Sequence, residues 1–188
     1  MRKIITVTLM FVLLITLCSC NTPTEEITDS ESAKALLAFD DRAWKDYVAL
    51  YSTYVSLVDN MAAYDSGLIS KSDFYDKLVE IEKSFQDASL SFDYGEIDED
   101  LRYSKMLKAA TTYYQLATQN MMDYLNSSND SDLSLANENL RLGTEALLSI
   151  GSKRQTIMLK AGLDEEKIQK KIDDDMNNLP SFEKFTNN

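Results

Sequence analysis

The chain has no histidine, two cysteines, two prolines and five glycines in 188 residues. Each shortage excludes something. Without histidine there is no Ser-His-Asp triad, no Cys-His pair, no zinc site of the usual kind and no imidazole acid–base chemistry. The common side-chain switch near neutral pH is missing for the same reason. So few glycines and prolines punctuate few turns, which favours long helices over many short strands. No stretch alternates with the strand period over a useful length, and no internal repeat is evident.

The charge is unbalanced: 19 Lys and Arg stand against 31 Asp and Glu, a net of −12. Arg2 and Lys3 lie at the extreme N-terminus; beyond them 17 cations face 31 anions, a net of −14. A body so charged is repelled by nucleic acid and by anionic lipid headgroups, and neither is expected as an electrostatic partner. A solvated surface that keeps copies apart is the expected role of the acids. With 44% hydrophobic and 27% charged residues, the composition is that of one globular domain with a real core.

Both cysteines fall in "LLITLCSC", Leu13 to Cys20, at the end of an apolar run from Ile4 to Leu17. Met1-Arg2-Lys3 precedes that run as a short positive region, and the run is too short for a membrane span of about 20 apolar residues. A secretory signal is the expectation. Leu17-Cys18-Ser19-Cys20 resembles the lipobox of bacterial lipoproteins: Leu at −3, a permissive −2, small Ser at −1 and Cys at +1. The resemblance covers about twenty residues. It implies that the Cys20 thiol receives a diacylglyceryl group and that a dedicated peptidase cuts before it. Cys18 is then discarded with the signal; as an acceptor it would have bulky Leu17 at its own −1 position. The alternatives are an ordinary secretory signal with two incidental thiols, or a CxC metal clip, which no other Cys or His completes.

The implied organisation is a signal peptide at 1–19, a lipidated tether at 20–30, a helical bundle at 31–178 and a tail at 179–188. The implied location is a cell membrane, lipid-anchored on the extracytoplasmic face. "NTPTEEITDS", Asn21 to Ser30, is polar, proline-broken and aperiodic. Ten flexible residues span roughly 17 Å, more than the Debye length of about 8 Å.

From Glu31 onward apolar residues recur at spacings of three and four, which predicts an all-α, up-down bundle of four long helices plus a shorter C-terminal one. The first stripe reads Leu37, Trp44, Val48, Tyr51, Val55, Val58, Ala62; Gly67 then suits the left-handed position that ends a helix. Ser70 and Asp73 resemble a capping box with Asp for Glu, ahead of Phe74, Leu78, Ile81, Phe85, Ala88, Phe92. Asp98-Glu99-Asp100 are expected in the first turn of the third helix, which carries Leu107, Ala110, Tyr114, Ala117, Met121, Leu125. The fourth stripe is Leu133, Ala136, Leu140, Gly143, Leu147, Ile150, Ile157; the fifth is Ile168, Ile172, Met176, placed across one end or along a groove. Gly151 is a point for a kink or break. Arg154, at an apolar position of its stripe, is expected to snorkel out or to pair with an acid across the bundle.

Candidates for chemistry are thin. Carboxylate catalysis needs two acids at fixed separation in a cleft, whereas these acids fall on outward faces or helix starts. A di-iron bundle needs Glu-x-x-His, and the chain has no His. "NSSNDSDLSLANE" lacks the sixth-position Gly and the spaced Glu of a calcium loop; Asp173 to Met176, "DDDM", offers only loose cation binding. No cofactor is expected. Tyr47, Tyr51, Tyr54, Tyr113 and Tyr114 suit a core boundary, or a ligand groove. In the tail, Phe182 and Phe185 follow Pro180 as contact residues for a partner or as a clip folded onto the bundle. The functional expectation is a non-enzymatic binding or interaction module whose partner is an envelope protein or ligand. The alternatives are an immunity or exclusion lipoprotein acting on a toxin or phage, and a carboxylate-dependent envelope enzyme.

Overall fold

A computed structural model describes residues 30–92 and 102–180. Among these the chain is an all-α bundle of α1 (Ser30–Asp65), α2 (Lys71–Ser91), α3 (Tyr103–Ser127), α4 (Asp130–Lys160) and the short α5 (Glu165–Asn177). The four long helices alternate in direction and pack as a ring, α1 on α2, α2 on α3, α3 on α4 and α4 back on α1, while α5 folds against α4. The starts of α1 and α3 therefore share one end with the finish of α4. The Phe39 and Tyr103 rings confirm it, meeting edge to face at 5.8 Å.

The turns follow from local chemistry. α1 ends in a Schellman motif: Gly67 adopts φ +76°, its N–H donates to Tyr64 O, and the Leu68 N–H donates to Ala63 O. Gly162, at φ +77°, closes α4 in the same way through Leu159 and Met158. The Ser70–Asp73 capping box is complete, with Asp73 N donating to Ser70 Oγ at 3.1 Å and Ser70 N to Asp73 Oδ2 at 3.2 Å. Asn129 caps α4 by accepting from Ser131 N, and Asp164 caps α5 by accepting from Lys167 N.

α3 departs from expectation. It begins at Tyr103 after Arg102 in the left-handed region (φ 55°), with no acid in its first turn. Asp98, Glu99 and Asp100, expected there, lie outside the described residues. α4 passes through Gly151 as a continuous helix, so this glycine, a point where the helix could have broken, does not break it.

The core lines of α2 and α3 run along the expected residues, with Phe74, Leu78, Ile81, Phe85 and Phe92 buried on one segment and Leu107, Ala110, Tyr114, Ala117, Met121 and Leu125 on the other. α1 is rotated. Its buried line is Leu36, Phe39, Ala43, Tyr47, Leu50, Tyr54, Leu57 and Met61, while Leu37, Trp44, Val48, Tyr51 and Val58 are only half-buried beside it. The reason lies in the sequence: apolar residues occupy both adjacent lines, about 100° apart, and Asp40 interrupts the one that faces the core.

The closest pairing is α3 with α4, made possible by small residues, Ala110 and Ala117 on one helix and Ala136 and Gly143 on the other. Buried Thr111 and Thr118 satisfy their hydroxyls by donating to Leu107 O and Tyr114 O, both at 2.8 Å. A Cβ on Gly143 would lie 2.6 Å from the Tyr114 ring, which is itself held between Tyr54 at 4.9 Å and Phe85 at 5.3 Å.

The two helical glycines should therefore respond in opposite senses. Gly143→Ala should cost about 1–3 kcal/mol through overpacking. Gly151→Ala, with open space around it, should gain about 0.5–1 kcal/mol. Urea midpoints of the two variants check this, and shifts of the same sign would contradict the packing described. The capping carboxyls predict a pH effect as well. Asp73 is held below the usual carboxylate range by the Ser70 hydroxyl, and Asp164 by the Lys167 side chain. A depressed folded pKa means that the stabilisation is present above the ordinary Asp value and is lost as pH falls below about 4. Helicity measured by circular dichroism should lose part of this acid dependence in Asp73→Asn and Asp164→Asn.

Candidate functional site

Two places gather groups able to do chemistry or binding. The first is a buried ion cluster at the end of the bundle where α1 begins. Arg154 of α4 is 2% exposed and Asp40 of α1 is fully buried. The guanidinium grips the carboxylate with Nε to Oδ1 at 2.9 Å, Nε to Oδ2 at 3.1 Å and Nη2 to Oδ2 at 3.0 Å. Nη2 also donates to Asp175 of α5. Lys171 of α5 reaches Asp41 of α1 at 2.8 Å. The sequence expectation for Arg154 holds in its second form: it pairs across the bundle. The same bonds place α5 against α1 and α4.

Burial raises the Asp40 pKa, opposed by the Arg154 hydrogen bond and charge. Burial alone would pull the Arg154 guanidinium down, but Asp40 and Asp175 more than offset it, so the cation persists. The cation also lies 4.0 Å over the Trp44 ring, a favourable cation–π geometry.

From Trp44 an aromatic row crosses the molecule. Trp44 stacks on Tyr47 (4.7 Å, 12°), Tyr47 on Tyr51 (6.3 Å, 4°), and Tyr51 meets Tyr54 at 6.1 Å. Tyr54 then stacks on Tyr114 of α3. These tyrosines pack at the core boundary and within the core, and none of them lines the α3–α4 groove described next. Burial pushes Tyr47 up to about 12, with Tyr51 adding to the shift. Burial likewise raises Tyr54 and Tyr114, and the Thr144 hydroxyl near both phenols partly offsets it. Tyr114 Oη nonetheless completes no hydrogen bond of ordinary geometry among the described residues. None of these phenols is tuned toward ionisation at neutral pH.

The second place is an open groove of about 440 Å³ between α3 and α4, lined by Arg102, Lys105, Met106 and Ala109 on one side and Ala146, Ser149 and Lys153 on the other. Sequence reasoning missed it, because net charge was weighed over the whole chain rather than helix by helix. It missed Asp40 too, whose signal was available: an arginine on a core line requires an acid on a facing one.

The remaining sequence candidates resolve simply. The "DDDM" acids are divided, with Asp173 accepting from Gln169 at 2.7 Å and Asp175 turned to Arg154. Among the described residues no group of three or more His, Cys, Asp or Glu side chains is placed to hold a metal ion. Cys20, Phe182 and Phe185 lie outside the described residues. No protein-family model, no curated protein and no solved structure matches the chain.

The ion pair generates a double-mutant test. Asp40→Asn should cost about 3–5 kcal/mol by leaving a buried guanidinium short of its counter-charge. Adding Arg154→Met to Asp40→Leu should recover most of that loss, because the pair is then replaced by apolar volume. Asp175→Asn, at the cluster's more exposed side, should cost about 1 kcal/mol or less. Denaturant unfolding of Asp40→Leu, Arg154→Met and the double variant against the unaltered chain closes the cycle; strictly additive losses would contradict it.

Proposed function

We propose that the chain is an extracytoplasmic lipoprotein, attached to a membrane through lipid on Cys20, and that its helical body is a binding module acting by contact rather than catalysis. The observation that carries this is Leu17-Cys18-Ser19-Cys20 behind a positive start and an apolar run, with α1 beginning only ten residues later at Ser30. Two acyl chains, at about 0.8 kcal/mol per buried CH₂, hold a domain on a bilayer durably. Among the described residues no helix is long and apolar enough to cross a membrane. The binding reading is supported by the use made of the unusual buried groups: Asp40, Arg154 and the aromatic row are consumed in holding helices together. For contact with an envelope protein or ligand the chain offers Phe182 and Phe185 after Pro180, and the α3–α4 groove.

Cys20→Ser should abolish acyl labelling in cells and leave the apolar Ile4–Leu17 segment uncleaved, a mass difference that intact mass spectrometry reads. Labelling that persists would refute the assignment to Cys20. Labelling lost only in Cys18→Ser would transfer the anchor to Cys18.

A further inference from the structure

The acidic net charge conceals a local reversal. From Leu101 to Met122, and again from Ala146 to Leu163, the sequence contains no aspartate or glutamate. These stretches include the first part of α3 and the last part of α4, which run antiparallel and pack together. Arg102, Lys105, Lys108, Lys153 and Lys160 therefore share one end of that pair. The opposite end of the bundle carries Asp59, Asp65, Asp73, Asp76, Asp123, Asp130 and Asp132.

The groove lies within the acid-free face and is itself polarised. Across the antiparallel pair, Arg102 lies toward Lys153 and Ala109 toward Ala146. At 1.5 Å per residue the cationic and apolar ends stand about 10 Å apart. None of Arg102, Lys105 and Lys153 belongs to an ion pair among the described residues. Beyond them the floor is the Met106 thioether and the methyl groups of Ala109 and Ala146. A volume of about 440 Å³ is in the range of sites for small ligands.

We propose that this groove binds the headgroup of an anionic phospholipid, with the phosphate among Arg102, Lys105 and Lys153 and the adjoining lipid carbons over Met106, Ala109 and Ala146. A bare anion would leave the apolar floor uncovered, and a neutral amphiphile would leave the cations uncompensated. The position argues for a bilayer as the source, a step that rests on the lipoprotein reading. The groove is at the end of the bundle where α1 begins, ten residues after Cys20. Lys and Arg near an anionic bilayer each strengthen binding about five-fold. The groove's cations then face the membrane, while the acids of the same end, Glu31, Asp41 and Asp46 on α1 and Glu165, Glu166, Asp173 and Asp174 on α5, lie on helices other than the two that form it.

The test reconstitutes the full acylated chain into nanodiscs of phosphatidylcholine alone or with added phosphatidylglycerol, and follows amine-reactive labelling of individual lysines by mass spectrometry. Lys105 and Lys153 should label several-fold more slowly in the anionic discs, reversibly in high salt, while Lys71 and Lys77 at the far end should not change. Equal labelling in the two discs overturns the proposal. Protection by inorganic phosphate alone in the neutral discs also overturns it, because the site is then one for a free anion. Protection that emerges only after Asp98→Asn, Glu99→Gln and Asp100→Asn overturns it too, since the chain's own acids would hold the cations. Failure of the lipid anchor is separable. The chain from Asn21 onward, which lacks both Cys20 and the cationic apolar start, should float with free phosphatidylglycerol vesicles more than with phosphatidylcholine vesicles, and Lys105→Glu with Lys153→Glu should remove that difference. Without such a difference the groove proposal fails, whether or not Cys20 carries lipid.

Discussion

A guanidinium cannot sit in a protein interior without compensation, and the architecture at one end of this bundle is organised around that requirement. Arg154 needs a facing carboxylate, which fixes α1 at the height of Asp40 and sets its rotation. With Asp40 directed inward, Phe39, Ala43 and Tyr47 are carried into the core and Trp44 is brought under the cation. The guanidinium has donors to spare, and Asp175 accepts from one. That contact and the Lys171–Asp41 pair give α5 an address that its single well-buried residue, Ile168, would specify poorly alone. Buried ion pairs stabilise weakly compared with apolar replacements, but a half-made one is costly, so arrangements that miss the partner are penalised.

The rest of the molecule divides into a thin seam and a thick one. Where α3 meets α4, alanines, threonines and Gly143 let the backbones approach, and the Tyr114 ring occupies the space that a Cβ would need. Where α1 completes the ring, the space is spanned by Trp44, Tyr47, Tyr51 and Tyr54. Large rings on one side and small residues on the other let four helices of unequal length enclose a core. The groove lies along the thin seam, where short side chains such as Ala109 and Ala146 leave a furrow between the long cationic ones.

Much of this was legible in the sequence, and the exceptions have physical causes. α2 and α3 have one apolar line each, and periodicity located it. α1 has two adjacent lines, and the line that won contains a charged residue, which a hydrophobicity pattern counts against it. The pairing of Arg154 with some acid was foreseeable, but its choice of Asp40 depends on the relative height of two helices distant in sequence. Gly151 failed to break α4 because the helix needs only continued backbone bonding there, and an exposed glycine weakens such a helix without ending it. The groove was hidden by averaging: two acid-free stretches far apart in the chain become neighbours only once α3 and α4 pair. The proposed anchor, by contrast, rests entirely on the first twenty residues, and the fold of residues 30–92 and 102–180 neither adds to it nor subtracts from it.

The placement of Trp44 has a spectroscopic consequence. It is the chain's only tryptophan, with a guanidinium 4.0 Å from its ring on one side and Tyr47 stacked at 4.7 Å on the other. The row from Tyr47 through Tyr51 to Tyr54 lies close enough for light absorbed by the phenols to be passed inward and emitted by the indole. Intrinsic fluorescence of this protein is thus a local signal rather than an average over the bundle. It reports on the one place where α1, α4 and α5 are joined.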